Sequence, residues 1–214
     1  MSVDLEAFAR RRPYLFHLTA RANLARVQRS RRLEPAAALY RKAGRPLPRH
    51  IRRESEELLV DGDVVVIRDQ APLHVGNIQF EGGWTIEDLL QDLNRRVFFW
   101  PGTADGPSAY GQRHFARYEA ERPVVLRVPT EDVVRATAGR VVELCRYNSG
   151  SPRCSGGKKS SRGPGTFQRP PEFTRGVSEV VEVAFPSEVG LPSSTSVGEG
   201  PAGPWVPLFG QDKP

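Results

Sequence analysis

Two short segments carry residue types at a spacing that could do chemistry. In Tyr14-Leu15-Phe16-His17-Leu18-Thr19, strand alternation puts His17 and Thr19 on one side and apolar neighbours on the other. An imidazole and a hydroxyl so paired can hydrogen-bond a ribose or an amide edge, and the plain alternative is a half-buried histidine and threonine satisfied by their surroundings. Near the other end, residues 177–185 read as one strand in which Val181, Val183 and Phe185 form the bulky side and Val180, Glu182 and Ala184 the smaller one. A carboxylate amid so many apolar residues is costly unless paired or solvated, so Glu182 is either a working group beside a cleft or a water-facing residue of an edge strand. Glu179, near the strand start, is the competing carboxylate.

Two further segments are suggestive. Residues 149–176 have no periodicity and contain Arg153, Lys158, Lys159, Arg162, Arg169 and Arg175 together with Phe167 and Phe173. A structureless stretch that long inside a compact domain is usually functional or disordered. Basic residues with aromatics suit single-stranded nucleic acid, through phosphate neutralisation and base stacking, and the alternative is a mobile loop with incidental arginines. In Asn94-Arg95-Arg96-Val97-Phe98-Phe99-Trp100, the aromatics could floor a pocket with Arg96 reaching a pyrophosphate, or simply be core.

The elements that must position these residues read as α+β. Helices are predicted over 2–12 (capped by Asp4 and ended by Pro13), 21–30, 34–43, 85–94 and 108–120. Thr85 with Asp88 three residues on is the capping signature of the fourth, and Ile86, Leu89, Leu90 and Leu93 share its face. Strands are predicted over 14–19, 64–67, 97–100, 123–128, 141–145 and 177–185, with 45–57 as loop plus a helical turn. The tail beyond Pro186, rich in Pro, Gly and Ser, is expected to be poorly ordered unless Trp205 and Phe209 dock it. Helices cluster in the first half without a βαβ alternation, and no GxGxxG or GxxxxGK[ST] motif occurs, so neither a Rossmann nor a P-loop nucleotide site is supported.

Composition narrows the classes. The chain has 214 residues, enough for one well-buried domain. Residues 1–53 carry 14 Lys/Arg against 3 Asp/Glu and residues 146–178 carry 7 against 1, so two basic zones flank an acidic middle. Such zones fit a polyanion, nucleic acid or a dinucleotide pyrophosphate, or else merely an arginine-rich composition. No stretch is apolar enough to span a membrane, and the first residues lack an export signal, so a cytoplasmic location is expected. Two cysteines and four histidines outside metal-ligand spacings predict no zinc site.

Together, these segments resemble the DarT-like branch of ADP-ribosyltransferases, and more closely an uncharacterised bacterial domain family related to it. The resemblance rests on YLFHLTARANLARVQRSRRLEP, VVVIRDQAPL, LNRRVFFWPG, YNSGSPR, RGPGTF and VVEVAFPSEV, in that order over residues 14–190. It implies a split β-sheet core in a single domain over 1–190, with 149–176 as a basic substrate loop and 191–214 as a tail. It implies NAD as a substrate with no metal, bound by His17, Thr19, Asn23, Arg68 and Arg96. Glu182 becomes the catalytic carboxylate. A catalytic arginine about forty residues after the histidine falls on Arg53, with Arg52 and Arg68 as competitors. Asn148, Ser149, Arg162, Thr166 and Phe167 fall on the acceptor side.

The implied activity is transfer of ADP-ribose to a nucleic acid base, DNA ahead of RNA, by a toxin or defence effector with an antitoxin or hydrolase partner. The alternatives are protein ADP-ribosylation, NAD hydrolysis, or an inactive nucleic-acid-binding module on the same scaffold. The chemistry needs no unusual groups. Cleaving the nicotinamide–ribose bond builds positive charge on the sugar, which a nearby carboxylate stabilises while arginines hold the pyrophosphate.

Overall fold

The computed structural model describes residues 3–137 and 141–210. Helix α1 (Leu5–Arg11) starts at Asp4, whose carboxylate accepts from the backbone N–H groups of Glu6 and Ala7. Strand β1 (Tyr14–Thr19) follows, then a 3₁₀ turn into α2 (Leu24–Ser30), β2 (Arg32–Leu33) and α3 (Ala36–Lys42), which ends at Gly44. Residues 56–67 form a hairpin of β3 (Glu56–Val60) and β4 (Asp63–Ile67). Its two-residue turn holds Asp61 and Gly62 at φ 51° and 85°, the positive pair that favours Asp-Gly there.

Next come β5 (Ile78–Phe80), α4 (Ile86–Asn94), β6 (Val97–Thr103), β7 (Gly106–Pro107), α5 (Ala109–Tyr118), β8 (Val124–Pro129), α6 (Thr130–Ala136) and β9 (Glu143–Cys145). The chain finishes with β10 (Ser160–Arg162), β11 (Glu182–Phe185), β12 (Val189–Gly190), β13 (Ser196–Gly198) and β14 (Trp205–Pro207).

The organising feature is an antiparallel sheet in the order β14-β13-β8-β1-β6-β11-β9, with β7 also paired to β6. Its centre is split. Strand β1 pairs with β8 along its whole length, from Tyr14↔Pro129 to Thr19↔Val124. Against β6 it pairs only from Tyr14↔Gly102 to Phe16↔Trp100. Residues 97–99 of β6 instead pair on their far side with β11, from Val183↔Phe99 to Phe185↔Val97. The two central strands therefore diverge at His17, and a wedge opens between residues 17–19 and 97–99.

Both faces of the sheet are covered. The larger core joins Leu15, Phe99, Leu126, Val128, Val183 and Phe185 to Phe8, Val27 and Val133 from three helices. On the other side Leu89, Leu90 and Leu93 of α4 pack on Ala184, Cys145 and Phe167. Burial of an aliphatic or aromatic side chain contributes about 1.5–3 kcal/mol, so these two layers fix the sheet between α-helical cover. A separate cluster of Leu39, Tyr40, Leu58, Val60, Val65 and Ile67 ties the β3–β4 hairpin to α3.

Several expectations are corrected. Residues 56 and 57, expected as the end of a loop and helical turn over 45–57, instead open a strand over 56–60, because Leu58 and Val60 bury alternate side chains under α3. The 64–67 segment, whose unbroken Val-Val-Val-Ile run predicts a buried strand, is only half-buried in β4, with Val64 exposed. Strand β6 runs on through Pro101 and Gly102 to Thr103. Helix α6 lay in no predicted element. The 177–185 segment begins as a 3₁₀ turn, and only 182–185 form the strand. The tail is not loose over its described part: β13 adds to β8, β14 adds to β13, and Leu191, Leu208 and Phe209 enter the larger core. The expectation for residues 211–214 lies outside the described residues, as does residue 2 of the first helix.

Candidate active site

The wedge between β1 and β6 is the mouth of a cavity of about 300 Å³, within the size range of small-molecule sites. His17, Thr19, Arg52, Arg68, Asn94, Trp100, His114, Tyr118, Asn148, Ser149 and Glu182 all line it. Residues from the two ends of the chain thus meet in one hollow. Alternation along the sheet would put His17 on the face of Phe99 and Val183, and Glu182 on the face of Phe98 and Ala184. They share a cavity because the sheet is open where they sit.

His17 spans the opening. Its Nδ1 lies 2.9 Å from the carbonyl oxygen of Phe98, a group that regular β1–β6 pairing would have occupied. Since a carbonyl only accepts, Nδ1 carries the hydrogen and Nε2 is left as an acceptor. Burial, with Arg68 nearby, lowers the imidazole to about 4, so it is neutral at physiological pH. Thr19 is buried and its hydroxyl accepts from the Asn23 amide at 3.1 Å.

Glu182 enters at the start of β11 and is 3% exposed. Strand β11 lies between β6 and β9, so the edge-strand alternative does not hold. Burial pushes its carboxyl up to about 7, against the opposing effects of Ser149 and Arg162. The backbone N–H of Ser149 donates to both carboxylate oxygens at 3.2 Å. Glu179, by contrast, is exposed, pairs with Arg175 at 2.9 Å and is not among the lining residues.

The arginines sort differently from expectation. Arg53 is exposed and away from the cavity, whereas Arg52 is 5% exposed and lines it. Arg52 turns inward and Arg53 outward in a stretch where no helix or strand fixes side-chain direction in advance. The Arg52 guanidinium donates to Asn94 Oδ1 at 3.0 Å and to the Arg68 carbonyl at 3.3 Å, and no carboxylate among the described residues forms an ion pair with it. Arg68 also lines the cavity, stacked 4.2 Å over Tyr118 and 3.4 Å from Glu121. Burial lowers the pKa of both guanidiniums.

Arg96 borders the cavity, but its guanidinium is committed to Asp92 and Glu143, at 2.6 Å each, and stacks on Phe167. That side chain is a structural tie. Asn23 is committed too: its amide binds the Val66 backbone through both N–H and C=O, at 2.8 and 2.9 Å, anchoring β4 beside the site.

The 149–176 segment is not an open basic loop. Its β10 strand pairs in parallel with β5. Arg162, 1% exposed, donates to the carbonyls of Asn148 and Ser149 and stacks on Tyr147, so it builds the wall that carries Asn148–Ser151. Thr166 caps the N–H of Gly163 and Phe167 is core, which removes both from the acceptor side. Only Arg153, Lys158, Lys159, Arg169 and Arg175 of its basic residues are exposed.

Sequence reading named Trp100 among aromatics that could floor a pocket, but missed His114 and Tyr118 packed beside it. Trp100 and His114 lie ring to ring at 4.6 Å, and His114 is 5.0 Å from Tyr118. Gly111 permits this approach, since a Cβ there would meet the Cβ and Cγ of Trp100 at 3.0 Å. Burial, then Arg68 and Arg117, lower His114 to about 3. Asn94 was also missed as a site residue. The alternation of helical Asn94 with the aromatic run gave no sign of it, because its role depends on where α4 ends over the cavity.

A family model matches residues 13–194, that of a family of unknown function (DUF7002). No curated protein and no solved structure matches the sequence. The match covers most of the chain, including every residue of the cavity wall, so the protein belongs to the DUF7002 family.

Proposed function

We propose that the protein is an NAD-dependent ADP-ribosyltransferase that uses the split-sheet cavity. The observation that carries this reading is the convergence of His17 and buried Glu182 on one hollow, with buried Arg52 and half-buried Arg68 beside them. The donor set fits a dinucleotide. Arg52 and Arg68 supply positive charge for a pyrophosphate, the Trp100–His114–Tyr118 wall supplies ring surface, and His17 Nε2 and Thr19 supply partners for an amide or ribose.

NAD supplies an activated sugar whose bond to nicotinamide breaks with growth of positive charge on the ribose carbon. Glu182 stabilises that charge from a dry setting, where a fixed carboxylate acts more strongly than in water. When ionised it also accepts a proton from an attacking amine. The Ser149 N–H fixes the carboxylate orientation, and Arg52 and Arg68 hold the ligand against it.

Nucleic acid is the favoured acceptor, single-stranded DNA ahead of RNA. This is supported by exposed Arg153, Lys158 and Lys159, which follow directly on the cavity-lining residues 148–151. Incubation with labelled NAD and single-stranded oligonucleotides tests it. Label on the oligonucleotide is expected from the wild type and none from Glu182→Gln. Label on protein alone moves the acceptor to a side chain, nicotinamide release without labelling indicates hydrolysis, and no NAD turnover under any condition contradicts the reading.

A further inference from the structure

The last residue of α4, Asn94, is 3% exposed and lines the cavity. Its Oδ1 accepts from Arg52 Nη1 at 3.0 Å and from Gln70 Nε2 at 3.3 Å. Arginine can only donate, so the atom it touches is the oxygen and the orientation of the carboxamide is settled. The NH₂ group is then turned away from both partners, and Nδ2 is buried without any hydrogen-bond partner. An unmet buried donor is destabilising, and folded proteins seldom keep one without a use. Among the described residues, the one other such nitrogen on this cavity is Trp100 Nε1.

We infer that Asn94 is a ligand-contacting, specificity-determining residue whose N–H pair is reserved for an oxygen acceptor of the bound nucleotide, a phosphoryl or ribose oxygen. The neighbouring Arg52 favours an oxygen carrying negative charge, and Gln70 acts as a positioning residue by holding Oδ1 from the second side. A nucleotide oxygen seated there meets a guanidinium and an amide at once. The identity of the ligand rests on the transferase reading above, whereas the reserved donor rests on the hydrogen-bond geometry alone.

Two variants test this in the full chain. Asn94→Asp keeps an oxygen for Arg52 and Gln70, replaces the orphan donor by an acceptor, and gives buried Arg52 a counter-charge. That contact outweighs the unfavourable negative charge at a helix C-terminus. Its Tm without ligand is expected to be no lower than that of the wild type, while its Kd for NAD by calorimetry weakens at least tenfold. Asn94→Ala removes the donor without neutralising Arg52 and is expected to lose at least tenfold as well.

A ligand-free Asn94→Asp protein that melts below the wild type overturns the reserved-donor role, and so does an Asn94→Ala protein that binds NAD as tightly as the wild type. A wild-type protein that does not bind NAD overturns the dinucleotide reading instead. The Tm comparison then decides the role of Asn94: a Tm at or above the wild-type value supports it, and a lower one overturns it.

Discussion

Glu182 is an acid held where ionisation is costly. The folded protein keeps its proton up to about pH 7, whereas the unfolded chain releases it near 4.5. Its contribution to stability is therefore full below the unfolded value and is lost as pH rises through 7. His17 runs the other way: lowered to about 4, its contribution is present above 6.5 and is lost as pH falls through 4. Comparing wild type with Glu182→Gln isolates the first effect. The variant keeps an acceptor for the Ser149 N–H and loses the charge. Its extra stability is expected to grow by about 2.5 kcal/mol from pH 5 to pH 8, read from urea unfolding at the two values. A difference that is flat with pH would show that Glu182 titrates normally. Wild-type transfer is expected to rise across about pH 7, as the carboxylate forms, in the same window where the protein loses stability.

At the level of elements, the cavity depends on two ties that do no chemistry. Arg162 bonds two carbonyls of the segment that presents Ser149 to Glu182. Arg162→Ala leaves the buried Ser149 carbonyl unmet and takes one of two donors from the Asn148 carbonyl, which keeps the Ser151 N–H, and is expected to cost roughly 3 kcal/mol in urea unfolding. If the cost falls under about 1 kcal/mol, the wall is held by something else. Asn23 clamps β4 through two hydrogen bonds to Val66 and reaches Thr19 of β1 through a third, and Asn23→Ala is expected to cost about 2 kcal/mol and weaken NAD binding, measured by unfolding and calorimetry, through displacement of the hairpin that carries Arg68.

These ties mark where sequence reading stops. The helix at 85–94 was legible from its capping pair and four leucine-type positions, and β1 from its alternation. His17 and Glu182 were legible as polar residues in apolar strands. That Arg162 and Phe167 face inward was not, because Arg162 is placed by the parallel pairing of β10 with β5 and Phe167 by packing against α4 beside the Gln168–Leu144 bridge, contacts between distant segments that no local period encodes. The choice of Arg52 over Arg53 turned on one residue of register in an irregular stretch.

For the whole molecule, the C-terminal segment is part of the structural unit. Its strands extend the sheet beyond β8, and Leu191, Leu208 and Phe209 bury against the larger core. Removing residues 191–214 is expected to lower Tm by ~10 °C or more, since three buried side chains at 1.5–3 kcal/mol each are lost from a domain in which 1 kcal/mol shifts Tm by 2–4 °C. An unchanged melting curve by calorimetry would make the segment a passenger. Composition suggested a loose tail because Pro, Gly and Ser dominate it, yet a few apolar residues suffice to dock a short strand pair on an open sheet edge. The opening at the centre of that sheet is where NAD is expected to bind, and a crystal structure of the protein soaked with NAD shows whether it does. The dinucleotide is expected to lie between β1 and β6 with the Glu182 carboxylate within hydrogen-bonding reach of the nicotinamide ribose. NAD bound elsewhere, or with that sugar turned away from Glu182, would contradict it.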